Sequence, residues 1–244
     1  GFQPDFVWLK SRSEAEHHTL NDSVRGANNQ IYSHLAYSNA TDTDRLQSFD
    51  SDGFTLGTDV IVNKNAQTFV SWNWKAGTTG SGTTTGSGTG KAYSYSVNTT
   101  AGFSIVKYVG NQTAGHTIPH HLGAKPDAIL VKHLDDGQQW ATQWSPLGAT
   151  KVMRFATTNT VSDSNTRWND TEPTSSVFTV GNEAECNTND GNHIAYCFAN
   201  KKGYLKVGSY TGNGDADGPF IYTGFRPAFL MYKNTTTADN YFLH

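Results

Sequence analysis

The segment Gly1-Phe2-Gln3-Pro4-Asp5-Phe6-Val7-Trp8-Leu9-Lys10 has two counterparts further along the chain. They are Gly123-Ala124-Lys125-Pro126-Asp127-Ala128-Ile129-Leu130-Val131-Lys132 and Gly224-Phe225-Arg226-Pro227-Ala228-Phe229-Leu230-Met231-Tyr232-Lys233. Each reads Gly-x-x-Pro, then an apolar run of strand length, then Lys. Short continuous apolar runs between turn residues are consistent with buried strands. The correspondence extends outward in fixed order. Gly26-Ala27 matches Gly148-Ala149, and Phe54-Thr55-Leu56-Gly57 matches Phe178-Thr179-Val180-Gly181. Phe69-Val70-Ser71-Trp72-Asn73-Trp74 matches His193-Ile194-Ala195-Tyr196-Cys197-Phe198, and Tyr108-Val109-Gly110-Asn111 matches Tyr210-Thr211-Gly212-Asn213. Matching blocks in constant order, starting at residues 1, 123 and 224, read as a duplicated domain rather than a short solenoid repeat.

The remaining patterns are also β patterns. Phe103–Tyr108 and Tyr204–Tyr210 alternate with a period near two. Asp52-Gly53, Asp136-Gly137, Asp190-Gly191 and Gly212-Asn213-Gly214 supply turns between runs. The expected fold class is therefore all-β, with two tandem related antiparallel β-sandwich modules of jelly-roll or lectin-like type and the start of a third repeat at the C-terminus. Gly77–Gly90 consists of Gly, Ser and Thr, the composition of a flexible linker. On that reading residues 1–90 are the first module with its linker at 77–90, and residues 91–200 are the second. Residues 201–244 hold the opening strands of a third repeat, or strands that complete the first or a neighbouring module. The chain starts without Met and stops inside the apolar Tyr241-Phe242-Leu243-His244, so a piece of a longer chain is expected.

Composition excludes several classes of function. Aromatic residues are 12% of the 244, too many for a disordered chain. Charged residues are 16%, below the ~25% of ordinary soluble domains. The net charge of -3 gives no basic footprint for nucleic acid. No run approaches the ~20 apolar residues of a membrane span. Two Cys cannot form a disulfide-dense scaffold.

Candidate chemistry is sparse. Gly90-Lys91-Ala92 lacks the Ser/Thr that a phosphate loop needs after Lys. Asn213, Asp215 and Asp217 alternate as in a calcium loop, but position twelve is Gly224 instead of a bidentate Glu. That loop reads first as a hairpin turn and second as a loose surface cation site. His116, His120 and His121 cluster near Pro119 and read as structural hydrogen-bonding groups. No Gly-x-Ser-x-Gly elbow is present. The few Glu residues lie in polar, loop-like contexts rather than the apolar ones that raise a catalytic carboxyl's pKa. Neither catalysis nor a cofactor is expected.

Trp72 and Trp74 share a strand face, with Tyr196 and Phe198 as counterparts, and read as core. Trp140, Trp144 and Trp168 lack such a pattern, so they are the candidates for stacking on a sugar ring. Cys186 and Cys197 flank the turn Asn189-Asp190-Gly191. A disulfide there needs Cα atoms within ~7 Å. Their counterparts are Val62 and Asn73, so the fold does not require the bond and none is expected.

The chain resembles a recurrent module of marine bacteriophage structural proteins, especially tail-fibre and appendage proteins. The text that carries the resemblance is Pro4–Arg12, Asp22–Ala27, Phe49–Gly57, Ser71–Gly77, His120–Gly123, Ser145–Lys151 and Gly208–Gly214. His121 stands where that module usually has a small Gly, and Asn73 where Cys is common. The resemblance implies a virion structural role and a lectin-like β-sandwich, with no catalytic residue. The expected function is display or host-surface attachment, outside the cell on a virion. The expected partners are further copies of the chain or other virion proteins, with a host surface glycan as ligand. An extracellular carbohydrate-binding module is the rival, and a glycan-degrading enzyme the third reading.

Overall fold

The structure, a computed structural model, describes residues 1–244. The first part of the chain forms β1 (Phe6–Ser11), β2 (Thr19–Asp22), β3 (Asn29–Ile31), β4 (Ala40–Thr41), β5 (Leu46–Asp50), β6 (Gly53–Leu56), the one-turn helix α1 (Val60–Asn63) and β7 (Phe69–Trp74). The middle part forms β8 (Thr78–Thr83), β9 (Thr85–Gly86), β10 (Ala92–Asn98), β11 (Phe103–Val109), β12 (His116–Pro119), β13 (Ala128–His133), β14 (Ala141–Trp144), β15 (Lys151–Arg154), β16 (Ser162–Asp163), α2 (Asn165–Trp168), β17 (Val177–Val180), α3 (Ala184–Asn187) and β18 (Asn192–Phe198). The last part holds only the short hairpin β19 (Met231–Tyr232) and β20 (Phe242–Leu243). The protein is all-β, as the sequence patterns require, and every strand pairing is antiparallel.

Two sheets dominate. One has the order β4-β3-β2-β1-β7, and the other β16-β15-β14-β13-β18-β11-β10-β8. Side chains alternate across each strand, and the central strands β1 and β13 are buried on both faces. Phe6, Trp8, Leu20 and Ile31 of the five-stranded sheet meet Phe103, Ile105, Leu130, Ile194 and Tyr196 of the eight-stranded one in a single aromatic core. On the other side of β1, Val7 and Leu9 pack with Leu46 of β5 and Val62 of α1. On the other side of β13, Ile129 and Val131 pack with Trp168, Phe178, Val180 and Cys186. The two expected modules are therefore not separate sandwiches. Their sheets face each other and share the central core.

The hydrogen bonding of the two halves recurs in detail. The Asp5 carboxylate accepts from Ser23 Oγ at 2.8 Å and from the Ala76 N–H at 2.9 Å. The Asp127 carboxylate accepts from Ser145 Oγ at 3.0 Å and from the Asn200 N–H at 2.7 Å. The Lys that closes each Gly-x-x-Pro segment has a matching task. Lys10 Nζ donates to the Ser11 and Glu14 carbonyls, and Lys132 Nζ to those of His133 and Asp136. Lys233 Nζ donates to the Asp239 carbonyl. Each ammonium thus ties down the turn that follows its strand. Gly57 and Gly181 recur because a Cβ there would collide with the backbone of Asp44 or Thr166.

Gly77–Gly90 is a correction to the sequence reading. It is not a linker but β8 and β9, paired with β10 and β12 respectively. Glycine is a poor strand former because it has no side chain to pack. Here β10 supplies the missing surface. The Tyr95 and Tyr93 rings lie across Gly80 and Gly82, so a Cβ on Gly80 would sit 2.6 Å from Tyr95 Oη and one on Gly82 2.9 Å from Tyr93 Oη. Tyr95 is covered on its far side by the His121 ring, stacked at 3.7 Å. Replacing Gly80 by Val is expected to cost about 1–3 kcal/mol in urea unfolding. Gly218→Val, with no atom within 4 Å of its Cβ position, is expected to leave the midpoint unchanged.

The tail differs from its expected role. Tyr204–Tyr210 forms no strand, apart from one bridge between Lys201 and Leu205. Residues 208–222 are exposed throughout. The chain returns at Phe229, whose ring packs on Trp72 and Trp74 at 5.3 and 5.4 Å, and β19–β20 then covers the rim of the central core.

Candidate interaction surface

The residues singled out as a sugar-stacking face do not form one. Trp140 and Trp168 are fully buried. Trp140 lies in the central core, its Nε1 donating to the Tyr32 carbonyl at 2.9 Å and its ring stacked on Tyr196. Trp168 lies in the outer core on the opposite side of the eight-stranded sheet. Only Trp144 is half-buried, with its Nε1 donating to Thr142 Oγ1 at 2.8 Å. The three therefore never converge.

The Asn213–Asp217 loop closes on itself. Asn213 Oδ1 accepts from the Asp215 N–H at 3.2 Å, and Asn213 Nδ2 donates to the Asp217 carbonyl at 3.0 Å. The amide that a cation would need is thus engaged in the turn. No three His, Cys, Asp or Glu side chains anywhere gather as a metal would require. Cys186 in α3 and Cys197 in β18 are both buried free thiols, and burial pushes both well up from the ordinary thiol range.

Several buried polar groups fasten strands and loops together. Asn187 is fully buried. It accepts from the Asn111 N–H at 2.9 Å, touches His116 Nδ1 at 3.0 Å and donates to the Gly181 carbonyl at 2.6 Å. It therefore binds the ends of β11, β12 and β17 to α3. Glu185 is held by Arg154 and Arg167, and Glu172 by Lys125 and the Ala149 N–H. The Lys125 bond holds the Glu172 carboxyl below the usual range, opposite to the rise that a general acid needs. A cleft of about 430 Å³ runs beside Gln3, Lys75, Thr79 and Tyr95, but its one carboxylate is Asp5, whose oxygens already hold Ser23 and Ala76.

What stands open are backbone edges and tail. In the second half β18 lies between β13 and β11, and β17 pairs with β12. In the first half the corresponding β7 pairs only with β1, and β6 only with β5. An edge strand presents unpaired N–H and C=O groups that readily accept another strand. Seven of the ten exposed large hydrophobic side chains lie in the tail, including Phe220 at 88% and Tyr222 at 77% exposure. The sequence offers residues 201–244 as strands that complete the first or a neighbouring module, without naming the edges that would receive them. The tail repeats the text at the end of β11, Tyr108–Asn111, as Tyr210–Asn213, and the first half has no such strand of its own.

The structure is thus that of an all-β sandwich with open edges at β6 and β7, where the second half has further strands, and an exposed apolar tail. No helix is long and apolar enough to cross a membrane. The chain belongs to the family described as a domain of unknown function, DUF7483, whose model matches residues 1–244. No curated protein and no solved structure matches it significantly.

Several buried histidines give the fold a pH dependence. His193 lies against Tyr108 and His133, with ring centroids at 5.1 and 4.6 Å, and burial, with His133 beside it, lowers its pKa to about 3. Burial lowers His120 to about 4. The unfolded chain protonates these groups near pH 6.5, whereas the native state resists protonation. Their contribution is complete above that pH and is lost as pH falls toward the folded values. Urea unfolding between pH 7 and 4 should show stability falling by up to about 1 kcal/mol per pH unit through His193 alone. His193→Gln should flatten that slope.

Proposed function

We propose that this protein is a non-catalytic structural module of a bacteriophage virion, part of a fibre or appendage that serves display or attachment to a host surface. The observation that carries the reading is the pair of open strand edges at β6 and β7 together with the exposed tail. These are features of a unit built to join other chains rather than to enclose a substrate. The resemblance of Pro4–Arg12, Phe49–Gly57 and Gly208–Gly214 to phage appendage modules supports it. So does the recurring set of hydrogen bonds around Asp5 and Asp127, which we infer to come from duplication of one β unit. A surface of Ser, Thr, Asn and Gly with few charges suits a protein working outside a cell.

The carbohydrate-binding reading now rests on Trp144 alone, because the other two tryptophans serve as core. Two measurements separate the readings. Antibodies raised against the purified protein should label fibres or appendages of virions in electron micrographs, and the fluorescent protein should bind receptive marine bacterial cells saturably. Binding to a glycan array that is lost in Trp144→Ala would favour the lectin reading. Hydrolysis of a cell-surface polysaccharide would overturn the non-catalytic one.

A further inference from the structure

We propose that the tail of one copy, residues 206–223, completes the first half of a second copy by adding one strand beside β7 and another beside β6. This deepens the structural reading above by naming the partner as the chain itself.

The second half shows what a complete unit contains. There β11 pairs with β18, and β12 with β17. The sequence match of Tyr108–Asn111 with Tyr210–Asn213 makes residues 205–211 the counterpart of β11. Counting back from Gly123 and Gly224, Pro219 and Phe220 stand where Ile118 and Pro119 do in β12. Both counterparts are present in the tail, and apart from the Lys201–Leu205 bridge and the Val207 N–H bond to Asn200 neither is paired, residues 208–222 standing in solvent. The acceptors β7 and β6 are the counterparts of β18 and β17, and each lacks a neighbour on one side.

Two residues in the tail and one in the first half have counterparts whose buried roles such a complex would restore. A Cβ on Gly110 would run into the backbone of Asn187 and Thr188, so glycine is required there. Its counterpart Gly212 has no atom within 4 Å, and its own chain places no such demand on it. Asn187 accepts from the Asn111 N–H in a fully buried setting. Its counterpart Asn63 makes the matching bond to the Gly57 carbonyl at 2.7 Å but is otherwise exposed. The counterpart of Asn111 is Asn213, so a docked tail would bring the Asn213 N–H to Asn63.

The occupant is a second copy rather than the same chain. The tail leaves the body through a closed turn, with the Lys201 N–H donating to the Leu205 carbonyl at 2.9 Å and the Val207 N–H to Asn200 Oδ1 at 2.6 Å. It is fixed again at Phe229 on Trp72 and Trp74. The intervening residues form an arm projecting into solvent. Strand addition of this kind draws affinity from main-chain hydrogen bonds and specificity from alternate side chains. The contact is head to tail, so repetition yields a ring or an open filament.

The register makes the test specific. Val106 pairs with Ala195 across β11 and β18, which places Gly208 of one copy opposite Ser71 of the other. Ser71→Cys and Gly208→Cys, prepared as separate full-length variants and mixed under mild oxidation, should give a disulfide-linked dimer. Light scattering of the unaltered protein should give a mass at least twice 26.6 kDa. Gly212→Val should reduce it to a monomer that keeps the circular dichroism spectrum of the folded protein, and Thr99→Val, at an exposed turn outside the tail, should leave the mass unchanged. The proposal is overturned if the mixture gives no cross-link, or if the doubly substituted chain cross-links only within a monomer. It is overturned equally if Gly212→Val leaves the mass unchanged. Binding to cells or virion labelling retained alongside such a failure would leave the attachment reading standing and remove only the self-assembly.

Discussion

The fold depends on the face-to-face contact of its two main sheets. That contact is aromatic at its centre. Phe6 of β1 lies 4.6 Å from Tyr196 and 5.9 Å from Phe103, and Tyr196 in turn stacks on Trp140. A buried polar lock sits beside it. Tyr196 Oη donates to Asp22 Oδ2 at 2.7 Å, and Arg25 Nε donates to the same oxygen at 2.6 Å. Arg25 also reaches Asn39 Oδ1, the Leu20 carbonyl and Tyr196 Oη. Such a network adds little net stability against an apolar alternative, but removal of one member leaves a buried charge uncompensated at a cost of about 3–5 kcal/mol. It therefore fixes how the sheets are aligned more than how strongly they adhere. The lock has no counterpart in the matching positions, where Trp144 replaces Asp22 and Trp72 replaces Tyr196. The two halves are related in plan, but the interface between them is asymmetric.

Around that interface each half keeps its own outer layer. Val7 and Leu9 rest on β5 and α1, while Ile129 and Val131 rest on the layer of β12 and β17 with α2 and α3. The outer layer of the second half is complete and tightly wired through Asn187. That of the first half is thinner, and its strands end in open edges. The exposed tail carries the sequence counterpart of the end of β11, which the first half lacks.

Much of this was legible in the sequence. The recurring Gly-x-x-Pro segments located β1 and β13, and the blocks Phe54–Gly57 and Phe178–Gly181 located β6 and β17. The closing Lys was visible as a pattern, but its task on the following turn emerged only from the geometry of Lys10 and Lys132. The Gly/Ser/Thr run misled because composition reports what a segment lacks, whereas Tyr93 and Tyr95 on a different strand supply the surface that holds it. Trp140 and Trp168 misled for a related reason. Strand periodicity describes one sheet at a time, and each of these residues is buried by packing against another layer. The open edges could be inferred only by asking which strands one half has and the other lacks.

The central claim is that the two halves form one body through a shared core rather than two sandwiches on a tether. Equilibrium urea unfolding followed by tryptophan fluorescence and by far-ultraviolet circular dichroism tests it most directly, because Trp8, Trp72, Trp74 and Trp140 all belong to or border that core. One cooperative transition, coincident by both probes, is the predicted result. Two separated transitions, with one half retaining its structure after the other has melted, would contradict it.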